Sequence, residues 1–322
     1  MADKAEILVI GLPKPLIIDG LRAAFTVHVL AEAKDKEALL AEVGPRVRGA
    51  AVTGAPDKMD GAMMARCPRL EIVSSFGVGY DNIDVDYARA HNIVVTNTPD
   101  VLTEEVADTA IGLLLCTVRE FPQAERFLRA GKWVQGHYPL TKATLRDRTI
   151  GIVGMGRIGK AIARRLEGFA VPIVYHSRKP AEGVKYPYYP RLIDMARDVD
   201  TLIVITPGGA ETRNLINAEV LEALGPRGIL INMSRGSVVD EQALIKALKE
   251  KKIYSAGLDV FLNEPHVPEE LIAMDHIVLF PHLGSATVYT RRKMEQLVVD
   301  NLLAWFSGKP PLTPVPETPV KR

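Results

Sequence analysis

Short, uninterrupted apolar runs alternate with amphipathic stretches along almost the whole chain, in two separate series. The first series has runs at residues 7–10, 27–30, 50–52, 70–73 and 93–95, with amphipathic segments such as 34–43 and 84–91 between them. The second has runs at 150–153, 171–175, 202–205, 229–231, 256–258 and 277–280, with helical stretches at 160–167, 218–224 and 241–251. Runs that are apolar on successive residues belong to strands covered on both faces. Strand, helix and strand at this spacing read as βαβ units on parallel sheets. The expected fold class is α/β, with two doubly wound parallel-sheet domains.

Residues 99–148 break the rhythm. Asn97-Thr98-Pro99-Asp100 is a turn and helix-start signal, and Thr103-Glu104-Glu105 opens a long helical stretch. Pro122 interrupts that stretch and Gly131 ends it. Residues 131–148 have no clean period and include Trp133, Tyr138 and Pro139, the pattern of an irregular arm that serves as an interaction surface. A last helix over 286–306 is stopped by Gly308-Lys309-Pro310-Pro311.

Charge and composition remove several functional classes. Lys and Arg total 40 against 39 Asp and Glu, a formal net charge of +1, so no basic excess points to nucleic acid or anionic lipid. The longest near-apolar run, 110–118, is far short of the roughly 18 residues that span a bilayer. Asp3-Lys4-Ala5-Glu6 leads straight into the first apolar run, which reads as a strand and not as a secretory leader. Cys67 and Cys116 make neither a metal-ligand spacing nor a disulfide framework. They are expected to be small buried hydrophobes in a reducing, cytoplasmic setting, and no metal site is expected.

Gly154-Met155-Gly156-Arg157-Ile158-Gly159 fits G-x-G-x-x-G, follows the run 150–153 directly and opens the stretch 160–167. In that position Gly154 makes the tight turn, Gly156 lets backbone approach a pyrophosphate and Gly159 lets helix pack on strand. The helix N-terminus then offers free N–H groups and a positive dipole end to the anion. Proteins that hold NAD usually place an acid about 20 residues further on, bonding the ribose 2′-hydroxyl. Here the next strand ends His176-Ser177-Arg178-Lys179, with His176 22 residues after Gly154 and no acid. Ser177 can donate a hydrogen bond and Arg178 can pair with phosphate oxygens, so NADP(H) is expected in preference to NAD(H).

Ligands of open α/β sheets bind beyond the carboxyl ends of the strands. There the second series places Thr206-Pro207-Gly208-Gly209, Met233-Ser234-Arg235-Gly236, Asp259 with Asn263-Glu264-Pro265, and Pro281-His282-Leu283-Gly284-Ser285. Each polar residue has a plain alternative: a surface arginine, a solvated loop acid, a structural loop histidine. At corresponding strand ends they supply one cation, one carboxylate and one imidazole for a common site. Reduction of a 2-oxo acid needs those three groups. Arg235 grips the carboxylate through two parallel N–H bonds, His282 donates the proton, and Glu264 favours the charged imidazole.

At these residues the chain resembles the D-isomer-specific 2-hydroxyacid dehydrogenases. Matching stretches run from Phe76-Gly77-Val78-Gly79-Tyr80-Asp81-Asn82-Ile83-Asp84 and Asn97-Thr98-Pro99-Asp100, through 154–159 and Ser234-Arg235-Gly236. They continue with Gly257-Leu258-Asp259-Val260-Phe261, Glu264-Pro265 and Pro281-His282-Leu283-Gly284-Ser285. Within that family the likeness is greatest to NADPH-dependent glyoxylate, hydroxypyruvate and hydroxyphenylpyruvate reductases. The resemblance implies a flavodoxin-like substrate domain over 1–98 and 286–322. It implies a Rossmann cofactor domain over 99–285, with a dimerisation arm at 121–148 and an active site in the cleft, closed by hinge motion. It assigns catalysis to Arg235, Glu264 and His282, and gives the substrate carboxylate to the backbone N–H groups of Val78 and Gly79. Thr103, Met155, Arg157, Ile158, Thr206, Pro207, Met233, Ser234, Arg235, Asp259, His282 and Gly284 join the glycines and His176-Ser177-Arg178 along the cofactor. The helices after Asp100 and the arm are implied to make a twofold dimer, with Trp133 reaching the partner's cleft.

Departures within the family are informative. Formate-oxidising relatives pair the histidine with glutamine, whereas this chain has Glu264. Phosphoglycerate-oxidising relatives often carry extra regulatory domains, which are not expected here. Ser74 and Ser75 are small and leave room near the substrate loop. The expected activity is NADPH-dependent reduction of small 2-oxo acids, glyoxylate and hydroxypyruvate first, to D-2-hydroxy acids. An aromatic 2-oxo acid reductase is the enzymatic alternative. A dinucleotide-sensing corepressor, recognised by tight peptide binding and poor turnover, is the alternative of another class.

Overall fold

The structure, a computed structural model, describes residues 4–54 and 57–320. Asp3, in the segment that leads into the first apolar run, lies outside them. The chain divides into two compact units, Met1–Leu102 with Thr287–Arg322, and Thr103–Ala286.

The first unit holds β1 (Glu6–Ile10), α1 (Pro15–Arg22), β2 (Thr26–Val29), α2 (Lys36–Val43), β3 (Val47–Val52), α3 (Gly61–Ala65), β4 (Ile72–Ser75), α4 (Val85–Ala90) and β5 (Val94–Thr96). Its five-stranded sheet has the order β2-β1-β3-β4-β5 with every pair parallel, the flavodoxin-like arrangement. Asp35, Asp60 and Asp84 cap α2, α3 and α4 by accepting the amides of Ala38, Met63 and Tyr87, so these short helices start where the sequence places an acid.

The second unit opens with α5 (Thr103–Arg119) and α6 (Phe121–Arg129). It continues through β6 (Ile150–Val153), α7 (Arg157–Glu167), β7 (Ile173–His176), β8 (Tyr188–Tyr189), α8 (Leu192–Asp198), β9 (Thr201–Val204), α9 (Ala218–Leu224) and β10 (Ile229–Asn232). It ends with α10 (Glu241–Lys249), β11 (Ser255–Leu258), α11 (Glu269–Ile272) and β12 (Val278–Leu279). The sheet order is β12-β11-β10-β9-β6-β7-β8, again all parallel. Strand order reverses between β6 and β9, the switch point at which doubly wound sheets take ligands. The last helix, α12 (Val288–Phe306), returns to the first unit and packs on α1 and β4.

Both sheets owe their stability to burial. Ile7, Leu8, Ile10, Ile150, Ile152, Leu230 and Ile231 are fully enclosed. Each such side chain contributes on the order of 1.5–3 kcal/mol relative to an exposed one.

The observed elements differ from the sequence reading in several places. The first boundary falls at 102/103, four residues later than expected. Thr98 is tied to the first unit, with its hydroxyl accepting the Gly77 amide and its own amide donating to the Gly77 carbonyl. The break in the long helical stretch falls at Glu120, whose φ of 54° is left-handed, while Pro122 sits harmlessly in the first turn of α6. The helix after the glycine loop begins at Arg157, not Lys160, because Gly156 is its N-cap. β8 and α8 were not anticipated. Among the described residues no helix is long and apolar enough to cross a membrane.

Candidate active site

The glycine loop of the second unit can be tested glycine by glycine. Gly154 has φ +105°, and a Cβ there would lie 2.8 Å from the Ile205 carbonyl oxygen. A Cβ at Gly159 would lie 2.1 Å from the Gly154 carbonyl oxygen. Those two glycines are demanded by the fold itself. Gly156 is different: its φ of −78° suits any residue, and a Cβ would meet nothing within 4 Å. The chain's own atoms give no reason for glycine there, whereas close approach of a pyrophosphate does. Gly156 caps α7 without a side-chain hydrogen bond, and no acid occupies the first turn. The amides of that turn therefore meet no competing carboxylate from their own helix, a setting that favours an anion. Met155 is buried, while Arg157 is exposed and Ile158 half-buried at the start of α7.

A second observation lies just beyond the neighbouring strand, β9. The buried Oγ1 of Thr206 has no hydrogen-bond partner, and its methyl would sit 3.2 Å from a Cβ on Gly154. Leaving a buried hydroxyl unpaired costs about 1–3 kcal/mol, so such an atom beside a phosphate loop fits a polar ligand. The Pro207 carbonyl accepts a hydrogen bond from Thr212 Oγ1 at 2.8 Å, which fixes the turn after β9. The residues present thus fit a dinucleotide.

At the end of β7 the expected ribose-phosphate residues are engaged locally. His176 Nδ1 donates to the Tyr189 carbonyl at 2.9 Å, tying β7 to β8. Ser177 Oγ donates to the Lys179 carbonyl at 2.6 Å. Arg178 Nη1 donates to Glu211 Oε2 at 2.8 Å, both side chains being largely exposed. Sequence reasoning missed Glu211, which lies in a loop after a different strand.

Arg235 is held by the strand end that precedes it. Asn232, 1% exposed, closes β10. Its Oδ1 accepts both the amide and the hydroxyl of Ser234, at 3.1 and 2.7 Å, while its Nδ2 donates to the Arg235 carbonyl at 3.2 Å. Arg235 Nη1 donates to the Ser234 carbonyl at 2.8 Å. A Cβ at Gly236 would fall 1.9 Å from the Phe261 carbonyl carbon, so the Arg235 turn lies directly on the loop that carries Glu264. Asn232 was not singled out from the sequence, although a carboxamide ending an otherwise apolar strand is the available signal.

Glu264 and His282 form the centre of the site. His282 Nδ1 donates to Glu264 Oε2 at 2.7 Å, while Glu264 Oε1 accepts the Phe261 amide at 3.1 Å. Burial pushes the Glu264 carboxyl up. The His282 hydrogen bond and charge, the Phe261 amide and the Arg235 charge together outweigh burial and hold it below its ordinary 4.5. Arg235 is thus electrostatically part of the same cluster. The carboxylate occupies Nδ1 and leaves Nε2 of the half-exposed imidazole to exchange a proton.

His282 has a φ of 53°, a left-handed backbone conformation uncommon for a non-glycine residue. Asp259 holds it there. The Asp259 carbonyl accepts the His282 amide at 2.9 Å, and its two carboxylate oxygens accept the Leu283 and Gly284 amides at 2.5 and 2.9 Å. Burial raises the Asp259 carboxyl above its ordinary range, against the pull of those two amides and the His282 charge. Gly284 is buried. A Cβ there would meet Asp259 Oδ2 at 3.1 Å and Met233 Cε at 3.5 Å, and Thr109 Oγ1 donates to its carbonyl at 3.1 Å. Met233, Asp259 and Gly284 therefore converge. Thr103 is the first residue of α5.

In the first unit the loop after β4 is pinned at two carbonyls. Gly77 O accepts from Thr98 N at 2.9 Å and Val78 O accepts from Asn97 Nδ2 at 2.9 Å, with Gly77 at φ +152°. Val78 and Gly79 are half-buried. Ser74 does not open space beside this loop as expected. Its hydroxyl is fully buried, donating to Val298 O and accepting from Thr96 Oγ1 at 2.9 Å.

The arm after α5 is exposed. α6 buries no residue, and Phe121, Leu128, Trp133, Val134 and Leu140 are 47%, 54%, 59%, 92% and 96% exposed.

Residues 111–284 match the family described as D-isomer specific 2-hydroxyacid dehydrogenase, NAD binding domain. Among curated proteins, the chain is 51% identical over 266 residues to a glyoxylate/hydroxypyruvate reductase A of Arabidopsis thaliana, covering 83% of this chain and 85% of that one. It is 47% identical over 282 residues to a hydroxyphenylpyruvate reductase of Plectranthus scutellarioides, covering 88% of each. Among solved structures it is similar to an NADPH-dependent glyoxylate/hydroxypyruvate reductase of Sinorhizobium meliloti crystallised with NADP and malonate. That likeness has a TM-score of 0.93 and 53% identity over 99% of both chains.

Proposed function

Since the chain belongs to the D-isomer specific 2-hydroxyacid dehydrogenase family, we propose that it is an NADPH-dependent reductase of small 2-oxo acids, with glyoxylate and hydroxypyruvate as leading substrates. The product is the D-2-hydroxy acid. The observation that carries this reading is the cluster of His282 on Glu264, with Arg235 contributing charge to the same carboxylate. When bound, the reduced dinucleotide supplies the hydride to the substrate carbonyl.

The chain's own residues do the rest. Arg235 pairs with the substrate carboxylate and polarises the ketone. In the first unit, the amides of Val78 and Gly79 are the donors suited to a carboxylate. His282 Nε2 gives its proton to the developing alkoxide, and Glu264 stabilises the imidazolium before that transfer. Asp259 holds His282 in its left-handed turn. Gly154, Gly156 and Gly159 with the first turn of α7 take the pyrophosphate. Thr206 supplies an unpaired hydroxyl and Arg178 pairs with the 2′-phosphate. His176 and Ser177 border that phosphate. Met155, Arg157, Ile158, Thr103, Pro207, Met233, Ser234 and Gly284 line the rest of the dinucleotide. Absence of an acid at the end of β7, where a carboxylate would repel a 2′-phosphate, supports NADPH over NADH. The Sinorhizobium relative, crystallised with NADP, supports the same choice.

The exposed apolar arm supports a twofold homodimer, since an amphipathic helix with no buried residue calls for a covering surface. The domain boundaries follow the two compact units. Cys67 and Cys116 are both free thiols, which supports a reducing cytoplasmic setting. Likeness to the hydroxyphenylpyruvate reductase supports aromatic 2-oxo acids as a second substrate class. The deciding experiment is a panel of glyoxylate, hydroxypyruvate and hydroxyphenylpyruvate assayed with NADPH and NADH side by side. Turnover of the small acids with NADPH supports the reading, and exclusive turnover of the aromatic acid moves the assignment to the second class. Loss of all turnover refutes both.

A further inference from the structure

Arg178 and Glu211 sit on opposite sides of the glycine loop. β6 has β7 on one side and β9 on the other. Arg178 follows β7 and Glu211 lies in a single helical turn at Ala210–Thr212 after β9. The three strand ends are drawn together there, since Gly154 N donates to His176 O at 2.9 Å and Ile205 N donates to Val153 O at 2.9 Å. Thr212 Oγ1 holds the turn that presents Glu211 by donating to Pro207 O at 2.8 Å. The Arg178–Glu211 ion pair, at 2.8 Å, is therefore a strap across the carboxyl end of β6, where the helix amides of α7 begin.

We infer that Glu211 is a specificity-determining residue: a resident counter-ion that occupies Arg178 until a ribose 2′-phosphate displaces it. The inference rests on the NADP(H) reading above. An exposed carboxylate pair is weak and both partners are open to water, so it restrains Arg178 without locking it. A 2′-phosphate carries a charge of about −1.5 to −2 and three strong acceptor oxygens, so it outcompetes a single carboxylate for the guanidinium. NAD(H) has a hydroxyl at that position and no means to break the pair. Glu211 thus lowers the affinity for the 2′-phosphorylated cofactor by competition and leaves the other cofactor untouched, so it sets the size of the preference and not its direction.

The test is equilibrium binding of NADP+ and NAD+, measured by calorimetry on the full chain, for the parent, Glu211→Gln, Arg178→Gln and the double variant. Glu211→Gln is an exposed, nearly isosteric change. It should tighten NADP+ by about two- to fivefold and leave NAD+ unchanged. In the Arg178→Gln background the same substitution should lose most of that gain, because nothing remains for Glu211 to occupy. Two results overturn the inference: an NADP+ affinity unaltered by Glu211→Gln, or a gain of equal size in both backgrounds, which would assign Glu211 to general repulsion. Failure of the cofactor reading shows itself separately, as a parent chain that binds NAD+ as tightly as NADP+.

Discussion

Asp259 grips His282 and the two residues after it with three acceptors, taking the His282 amide on its carbonyl and the Leu283 and Gly284 amides on its two carboxylate oxygens. The resemblance to relatives implied that this acid lies along the cofactor. Its contacts within the chain make it the clamp of the loop that carries the proposed proton donor. Asp259→Asn replaces one acceptor by an N–H donor facing an amide, at a cost of about 1–3 kcal/mol for the buried group left unpaired. The expected outcome is a lower urea midpoint and a kcat that falls more than NADP+ affinity. Unchanged kcat in a folded variant would remove the clamp from the account.

Glu264 is held ionised beside the His282 imidazole. Its carboxyl is pushed up by burial but held below 4.5 overall by His282, Phe261 and Arg235. A depressed carboxylate contributes stability that is present above its ordinary value and lost as pH falls through the lowered one. The carboxylate therefore stays ionised through neutral pH and takes a proton only on acidification below its ordinary range. Glu264→Gln removes the charge that favours a protonated imidazole, so the alkaline fall of kcat/KM for reduction should move to lower pH. A profile that stays in place would show that Glu264 does not tune the proton donor.

Arg235 is anchored by Asn232 through Ser234 and its own carbonyl. Arg235→Ala should lower kcat/KM by about 3 kcal/mol, roughly a hundredfold, since a charged partner of substrate is lost. Arg235→Lys should recover little of this, because an ammonium lacks the planar fork that pairs with a carboxylate. Near-parental kinetics for either variant would exclude the guanidinium from catalysis.

The glycines of the phosphate loop give contrasting expectations. Gly159→Ala places a methyl 2.1 Å from a backbone oxygen and should destabilise the second unit by about 1–3 kcal/mol. Gly156→Ala meets no protein atom within 4 Å, so thermal stability should hold while NADPH binding weakens at least tenfold. Equal NADPH affinity in Gly156→Ala would mean that no pyrophosphate approaches there.

Much of this architecture is legible in the residues because parallel strands covered on both faces read as unbroken apolar runs. Residues 150–153 and 229–231 show this plainly, and the strands observed there match to within one residue. β8 was illegible because two half-buried tyrosines on a sheet edge make no run. The ends of the strands, and so Arg235, Glu264 and His282, could be placed on one edge from the sequence. What holds them could not. Asn232 and Asp259 act through backbone groups, and Glu211 meets a residue 33 positions away through the order of strands in the sheet. Ser74, read as open space, proved to be a buried link between β4, β5 and α12 because its direction depends on the strand's register.

The most direct measurement is the initial rate of glyoxylate reduction with NADPH for the parent chain and His282→Asn, with NADP+ affinity determined on both. The expected result is turnover by the parent, a loss of about 10²–10⁴-fold in the variant, and equal NADP+ binding. A variant that reduces glyoxylate as fast as the parent would contradict it.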